Sequence, residues 1–157
     1  EILVYEPRVL RFKLWECQFL RNRKRMLFMK KKVIADSATL IFGDCIEEMQ
    51  KLPAGSVDML FTDLPYGTTN CKWDTPIDLK TFWKKADRVV KKGGCKALFA
   101  QTPFDKVLGC SNLAQLRYEW IWEKTAATGH LNAKKMPMKA HENILIFMII
   151  CLHIIHR

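Results

Sequence analysis

Asp63-Leu64-Pro65-Tyr66-Gly67 is the run whose residue types could do chemistry, and it directly follows the apolar stretch at residues 57–62. An amine conjugated to an aromatic ring is a poor nucleophile, because its lone pair is delocalised into the ring. Two acceptors that grip both N–H bonds favour a pyramidal nitrogen and free that lone pair. A carboxylate supplies one acceptor. A backbone carbonyl, held by a rigid Pro-containing turn, supplies the other. This is stabilisation aimed at charge developing on the nitrogen, and it needs no covalent intermediate. An aromatic ring next in sequence can stack on a base drawn out of a duplex. Asp63 fits the first role, the Leu64 carbonyl the second and Tyr66 the third, with Pro65 holding the turn. Each residue also has an ordinary use: aspartate often closes a turn, and tyrosine often fills a core.

The surrounding elements are those that could position such a run. Residues 57–62 are apolar enough for a strand buried on both faces, as central parallel strands are. Residues 39–42 form a shorter strand ending at Gly43-Asp44, and Ile46, Met49 and Leu52 then recur at helical spacing. Residues 78–91 make an amphipathic helix, with Leu79, Phe82, Trp83, Ala86, Val89 and Val90 on one side and Gly93-Gly94 as its stop. A strand at 95–101, a short helix at 102–110 opened by Thr-Pro, and a strand at 117–123 follow. Residues 124–142 are expected to be a long polar loop, and 143–149 a last strand. This alternation predicts an α/β fold with a doubly wound, mostly parallel sheet. Ligands in such sheets bind beyond the carboxyl ends of the strands, where Gly43-Asp44 and Asp63 are expected to lie.

Composition bounds the reading. The chain has 157 residues, 49% of them hydrophobic and 27% charged, a globular balance. Residues 1–35 carry ten Lys/Arg against three Glu, so +7 of the net +10 sits on that arm. A basic surface suits a nucleic-acid partner through counterion release, but here it rests mostly on the arm. The six cysteines are spread without a C-x-x-C pair, and no Cys/His cluster has zinc spacing, so a metal site is not expected. Reduced thiols point to a cytoplasmic protein. The longest apolar run, residues 144–152, is too short to span a bilayer. Three parts are expected: a basic N-terminal extension at 1–28, a catalytic domain at 29–147, and an apolar tail at 148–157 of the kind a frameshift would produce.

Beyond these residues the sequence resembles a family, the DNA N6-adenine/N4-cytosine methyltransferases of phages and restriction systems. Their tetrapeptide is Asp/Asn/Ser-Pro-Pro-Tyr/Phe/Trp; here Leu64 replaces the first Pro. Residues 40–67 (LIFGDCIEEMQKLPAGSVDMLFTDLPYG) resemble the stretch leading into that motif. Residues 120–147 (WIWEKTAATGHLNAKKMPMKAHENILIF) resemble the segment that completes the base pocket. The resemblance implies a Rossmann-like fold that uses S-adenosylmethionine, in the permuted order with the catalytic motif ahead of the cofactor loop. It implies that Asp44 and Asp63 lie near the cofactor, and Trp122 and Lys124 near a flipped base. Lys134, Lys135 and Lys139 would meet DNA phosphates. The Phe-x-Gly-x-Gly-like loop of that family has no match here, which makes the catalytic domain partial.

The expected activity is methyl transfer to adenine N6 in double-stranded DNA, in a bacterial or phage-encoded protein. Methylation of cytosine N4, or of RNA or protein amides, stays open. So does a non-catalytic DNA-binding remnant. A second copy of the chain, or a polypeptide supplying the missing half, is the further partner to look for.

Overall fold

A computed structural model of the chain describes residues 2–5, 13–14, 31–35, 38–41, 43–67 and 74–149, with side-chain surroundings from Ile41 onward. Its strands are β1 (Ile2–Tyr5), β2 (Lys13–Leu14), β3 (Lys31–Ala35), β4 (Ala38–Ile41), β5 (Val57–Asp63), β6 (Val90–Ala100), β7 (Leu116–Thr128) and β8 (Lys139–Met148). Its helices are α1 (Cys45–Lys51), α2 (Leu79–Val89) and α3 (Phe104–Ser111). The main sheet has the order β2-β1-β5-β6-β8-β7, and β3 and β4 form a separate two-stranded sheet.

The class is α/β, as expected, but the sheet is mixed rather than mostly parallel. Among the described residues only β5 and β6 pair in parallel, joined by the α2 crossover. β8 runs antiparallel to β6, and β7 antiparallel to β8. The reason lies in the connection. The chain between β7 and β8, residues 129–138, is short, and a short connection permits only a hairpin. The long polar loop expected at 124–142 is correspondingly shorter. Lys124–Thr128 continue β7, and Lys139 already opens β8. β1 closes the other side, antiparallel to β5, so part of the expected N-terminal extension joins the main sheet. Of the expected tail, Met148 ends β8 and is buried, and residues 150–157 lie outside the described residues.

α2 starts where Asp78 accepts from the backbone N–H groups of Lys80 (3.3 Å) and Thr81 (3.0 Å). It ends earlier than the glycine pair suggests. Val90 is already extended and lies in register with Val57. The glycines serve the crossing that follows. Gly93 has φ +80°, and a Cβ on Gly94 would stand 2.7 Å from the Asp58 carbonyl oxygen. They let β6 bulge past β5 between its first pair and Met59↔Cys95.

The three helices feed one core on one face of the sheet: Met49 from α1, Phe82, Trp83, Ala86 and Val89 from α2, Phe104 and Leu108 from α3. They pack on Leu60, Leu98, Leu145 and Phe147. A second apolar cluster lies on the opposite face, with Ala97, Ile144, Ile146 and Met148 flanked by Met59, Phe61 and Phe99. Between α2 and the sheet is one buried charge. Lys96 is 0% exposed and pairs with Asp87 at 2.7 Å, and it donates to the Gln115 side-chain oxygen at 2.7 Å.

Two substitutions rank these forces. Phe147→Ala empties the centre of the helix-side core and should cost about 3–5 kcal/mol. Lys96→Met removes the cation from Asp87, but that side chain is 33% exposed and keeps the Gln115 amide N–H on Oδ2. Its cost should fall near 1–3 kcal/mol, below the 3–5 of a fully buried pair. Urea denaturation of both variants checks the order, and an equal or larger loss for Lys96→Met contradicts it.

Candidate functional site

Asp63 is the last residue of β5, and its cross-strand partner is Phe99. Side chains alternate along strands, so register decides which share a face. Phe99 pairs with Ile144, and Ile144 with Trp120; two residues on, Trp122 pairs with Glu142. Asp63, Phe99, Trp122 and Glu142 therefore share the face away from the helices. Contacts agree with this. The Phe99 and Trp122 rings lie 5.2 Å apart, centre to centre. Trp122 is 50% exposed beyond that contact.

The motif itself turns across the end of the sheet. Leu64 is buried, Pro65 follows, and the half-buried Tyr66 ring stacks on Phe104 at 5.1 Å with a 30° tilt. The Tyr66 hydroxyl donates to Asp63 Oδ1 at 2.5 Å. Gly67, at φ +67°, donates its N–H to the buried Asp74 carboxylate at 2.8 Å. The turn is thus held at both ends, by Leu64 in the core and by Asp74 beyond the glycine.

Beside Asp63 lies a polar network. Lys124 forms an ion pair with Glu142 Oε1. Gln101 donates its amide N–H to the same oxygen at 2.8 Å, and Lys139 donates to the Gln101 carbonyl oxygen at 2.8 Å. Gln101, Lys139 and Glu142 border an open cleft of about 570 Å³ that Thr102, His141 and Asn143 also line. Asn143 is anchored from below, donating to the buried Asp105 carboxylate at 3.2 Å. Burial opposes ionisation of Asp105, but hydrogen bonds from Lys106 and Thr102 outweigh it and hold the carboxyl below the usual range.

Asp63 goes the other way. It is accessible at the sheet's end, yet enough protein crowds it that desolvation raises its pKa. The Tyr66 hydrogen bond opposes the rise, the Glu142 charge adds to it, and the Lys124 charge opposes it. The Tyr66 phenol is pushed up as well, by burial first and then by its bond to Asp63. The pair is therefore a hydroxyl donating to a carboxylate.

Of the residues singled out from sequence, Asp63, Tyr66, Trp122, Lys124 and Lys139 come together at this end of the sheet. Lys134 and Lys135 stand exposed on the loop between β7 and β8. Asp44 is placed elsewhere than expected. Among the described residues β4 pairs only with β3, so Gly43-Asp44 does not follow a strand of the main sheet. Its carboxylate caps α1, accepting from Ile46 N–H at 2.9 Å and Glu47 N–H at 3.1 Å. Sequence reasoning missed Gln101 and Glu142 as members of the site. Gln101 carried one signal, its place at the carboxyl end of a predicted strand.

The described residues fit the amine end of the expected chemistry better than a cofactor cradle. A sulfonium nucleoside needs backbone approaching closely over glycine. At Gly67, the glycine of the motif, a Cβ would lie 2.5 Å from the Pro76 ring, so that space is filled. At Gly43 a Cβ would meet the Glu48 side chain at 2.8 Å. Gly55, Gly93 and Gly129 face open space, and none lies in the motif or the polar network beside Asp63. No group of three or more His, Cys, Asp or Glu among the described residues is arranged to hold a metal ion, and no described helix is long and apolar enough to cross a membrane.

No protein-family model matches the chain. Over 126 residues it is 30% identical to the DNA adenine methyltransferase YhdJ of Escherichia coli K12, covering 72% of this chain and 42% of that protein. The chain thus spans well under half the length of the curated relative it matches. Among solved structures it is similar to the precorrin 8W decarboxylase of Methanobacterium thermoautotrophicum, at TM-score 0.44 and 19% identity over 72% of this chain and 56% of that one. It is also similar to an S-adenosylmethionine-dependent O-methyltransferase of Thermotoga maritima, at TM-score 0.43 and 16% identity over 74% and 42%. Likenesses at that level carry no argument about activity.

The Asp63–Tyr66 contact makes a signed prediction. The hydroxyl stabilises the ionised carboxylate, so Tyr66→Phe should raise the Asp63 pKa further. Carboxyl-carbon NMR titration of Asp63 reads this directly; an unchanged or lower midpoint contradicts the hydrogen bond.

Proposed function

We propose that this chain handles the target base in an S-adenosylmethionine-dependent DNA amino-methyltransferase, with adenine N6 as the acceptor. The observation that carries the reading is the Asp63-Leu64-Pro65-Tyr66 turn at the accessible end of β5, with its carboxylate on the sheet face that also carries Phe99 and, packed on Phe99, the exposed Trp122. The likeness to a DNA adenine methyltransferase over 126 residues supports it.

In this reading a base leaves the duplex and enters beside Trp122. Tyr66, backed on one side by Phe104, offers its ring for stacking. The Tyr66 hydroxyl occupies Asp63 Oδ1, and a carboxylate has lone pairs to spare. Asp63 therefore accepts one N–H of the amine while the Leu64 carbonyl accepts the other. S-Adenosylmethionine would supply the methyl group. Asp63 must be ionised to serve, so its raised pKa makes acceptor binding fail in mild acid, at higher pH than for an ordinary carboxylate. Lys134 and Lys135 on the exposed loop suit phosphate contacts, which fix orientation without reading sequence.

One observation favours a second reading. The described glycines make no cradle at Asp63, which suits a base-handling part that acts only with a complementing polypeptide. A second copy of the chain is the other candidate for that role.

The test is methyl transfer from labelled S-adenosylmethionine to duplex oligonucleotides, with the products digested to nucleosides and identified by mass. N6-methyladenine is expected, and Asp63→Ala should lower the rate by about 10²–10³-fold or more. N4-methylcytosine would move the reading to cytosine. No product, with salt-dependent duplex binding retained, would favour the complemented or non-catalytic reading. Neither product nor DNA binding would remove the proposal.

A further inference from the structure

β7 ends the main sheet, and among the described residues only β8 pairs with it. Its outer edge therefore presents a row of backbone N–H and C=O groups without strand partners. We propose that a second copy of this chain covers that edge, β7 against β7 antiparallel, about a two-fold axis at Trp120.

The residues on this edge are unsuited to standing bare. Residues 118–123 pair one-to-one with β8, and the irregularities of the ladder fall outside that run. The run, YEWIWE, holds no Pro or Lys, the residues that usually blunt an edge. Its Tyr118, Trp120, Ile121 and Trp122 are each between 43% and 60% exposed. Tyr118, Trp120 and Trp122 lie on the face away from the helices, opposite Ile146, Ile144 and Glu142. Ile121 lies on the helix face, opposite Asn143. Apolar surface on both faces of one strand suits an added strand, which extends both faces at once. A nucleic acid would stack on one face only, and Glu119 and Glu123 would repel its phosphates.

Symmetry selects the register. A two-fold axis normal to the sheet keeps each residue on its own face and pairs residues equally far from the axis. With the axis at Ile121, Glu119 would face the partner's Glu123, twice, and like charges directly opposite are destabilising. With the axis at Trp122, Tyr118 would face the partner's Ala126 and the match between rings is lost. With the axis at Trp120, Trp120 meets its own copy and Tyr118 faces the partner's Trp122. Arg117 then faces the partner's Glu123, and no like charges stand directly opposite. Arg117 Nη1 donates to the Ala114 and Leu116 carbonyls, and a guanidinium has further N–H groups for a carboxylate. Within one copy the Tyr118 and Trp120 rings are 6.0 Å apart, so the stripe of rings would run on across both copies. At roughly 100 Å² each, the exposed parts of the four large side chains offer on the order of 800 Å² over two copies. Backbone and the Arg117–Glu123 pairs add to this, towards the roughly 1,000 Å² of a specific interface. The pairing also sets the partner's Tyr118 beside Trp122, the exposed ring on the face that carries Asp63.

Sedimentation equilibrium of the whole chain, with its cysteines reduced, tests the contact. A dimer is expected at micromolar concentration, and it should persist in high salt because apolar burial holds it. Trp120→Lys and Ile121→Lys, on opposite faces of the strand, should each raise the dissociation constant at least about 30-fold. Should one of them fail to fold, the other decides. Oxidation reads the register. In Trp120→Cys the two new thiols oppose each other across the axis, and an intermolecular disulfide should form above the wild-type level. In Trp122→Cys they stand about 13 Å apart along the strands, too far to bridge. A chain that stays monomeric, a dimer that a folded Lys variant leaves intact, or cross-linking through Trp122→Cys instead of Trp120→Cys overturns the proposal. A monomer whose tryptophan fluorescence is quenched by single-stranded oligonucleotides would give the edge to a nucleic acid instead. No step needs methyl transfer. A dimer of this register in a chain that neither binds nor methylates DNA would keep the interface and discard the proposed function.

Discussion

The register of β6 between β5 and β8 is the constraint on which the site depends. Asp63 pairs with Phe99, and Phe99 with Ile144, so three strands from distant parts of the chain meet in one row. Alternation then does the sorting. Leu60, Leu98, Leu145 and Phe147 face the helices, while Phe99 and Ile144 face away. A slip of one residue in β5 would send Asp63 to the helix side and Leu60 out of its core. Burial of Leu60, Leu98 and Phe147, each worth about 1.5–3 kcal/mol, opposes such a slip. The position of the Asp63 carboxylate is therefore set by apolar groups elsewhere in the sheet.

The two faces treat charge differently, and the difference follows from access to water. On the helix side Lys96 is fully covered, pairs with Asp87 and donates to Gln115, so its charge acts as a strut between α2 and β6. On the other face the charges sit at the rim of an open cleft. There Glu142 gathers Lys124 and Gln101, while Asp63 keeps one oxygen bonded to Tyr66. A carboxylate with only a neutral partner remains basic. Its raised pKa comes from crowding first, with the Glu142 charge adding to it, and both trace to strand pairing rather than to the motif.

What the sequence made visible was what local chemistry controls. The apolar run of β5, the stripe of α2 with Asp78 at its start, and the turn at Asp63–Tyr66 depend on neighbours a few residues apart. Strand direction depends on distant pairing, and there the expectation of a mostly parallel sheet failed. A helical crossover between β5 and β6 does produce a parallel pair. Nothing local announced that β7 and β8 return as a hairpin, because Lys124–Thr128 carry few apolar residues and pair at an exposed edge. Gln101 and Glu142 were invisible for a related reason: they meet across 41 residues of chain. Asp44 was ambiguous in the sequence, since an acidic residue ahead of a helix serves a cap as well as a ligand. In the fold one oxygen of its carboxylate, Oδ1, caps the α1 backbone.

The leucine at position 64 shows how local and tertiary restraint can be exchanged. A proline there would fix one backbone angle and limit the unfolded chain, which is worth about 0.4–1 kcal/mol. Leucine lacks that restraint, but its side chain is only 4% exposed and belongs to the helix-side core. Burying a leucine contributes about 1.5–3 kcal/mol. The restraint on the turn is thus at least as large, but it comes from the core instead of from a ring. A ring holds the carbonyl of its residue through covalent geometry, whatever happens around it. A buried side chain holds it only while the helix-side core stays packed. The geometry of the turn beside Asp63 is therefore coupled to the helix-side core, so that loosening the core loosens the turn.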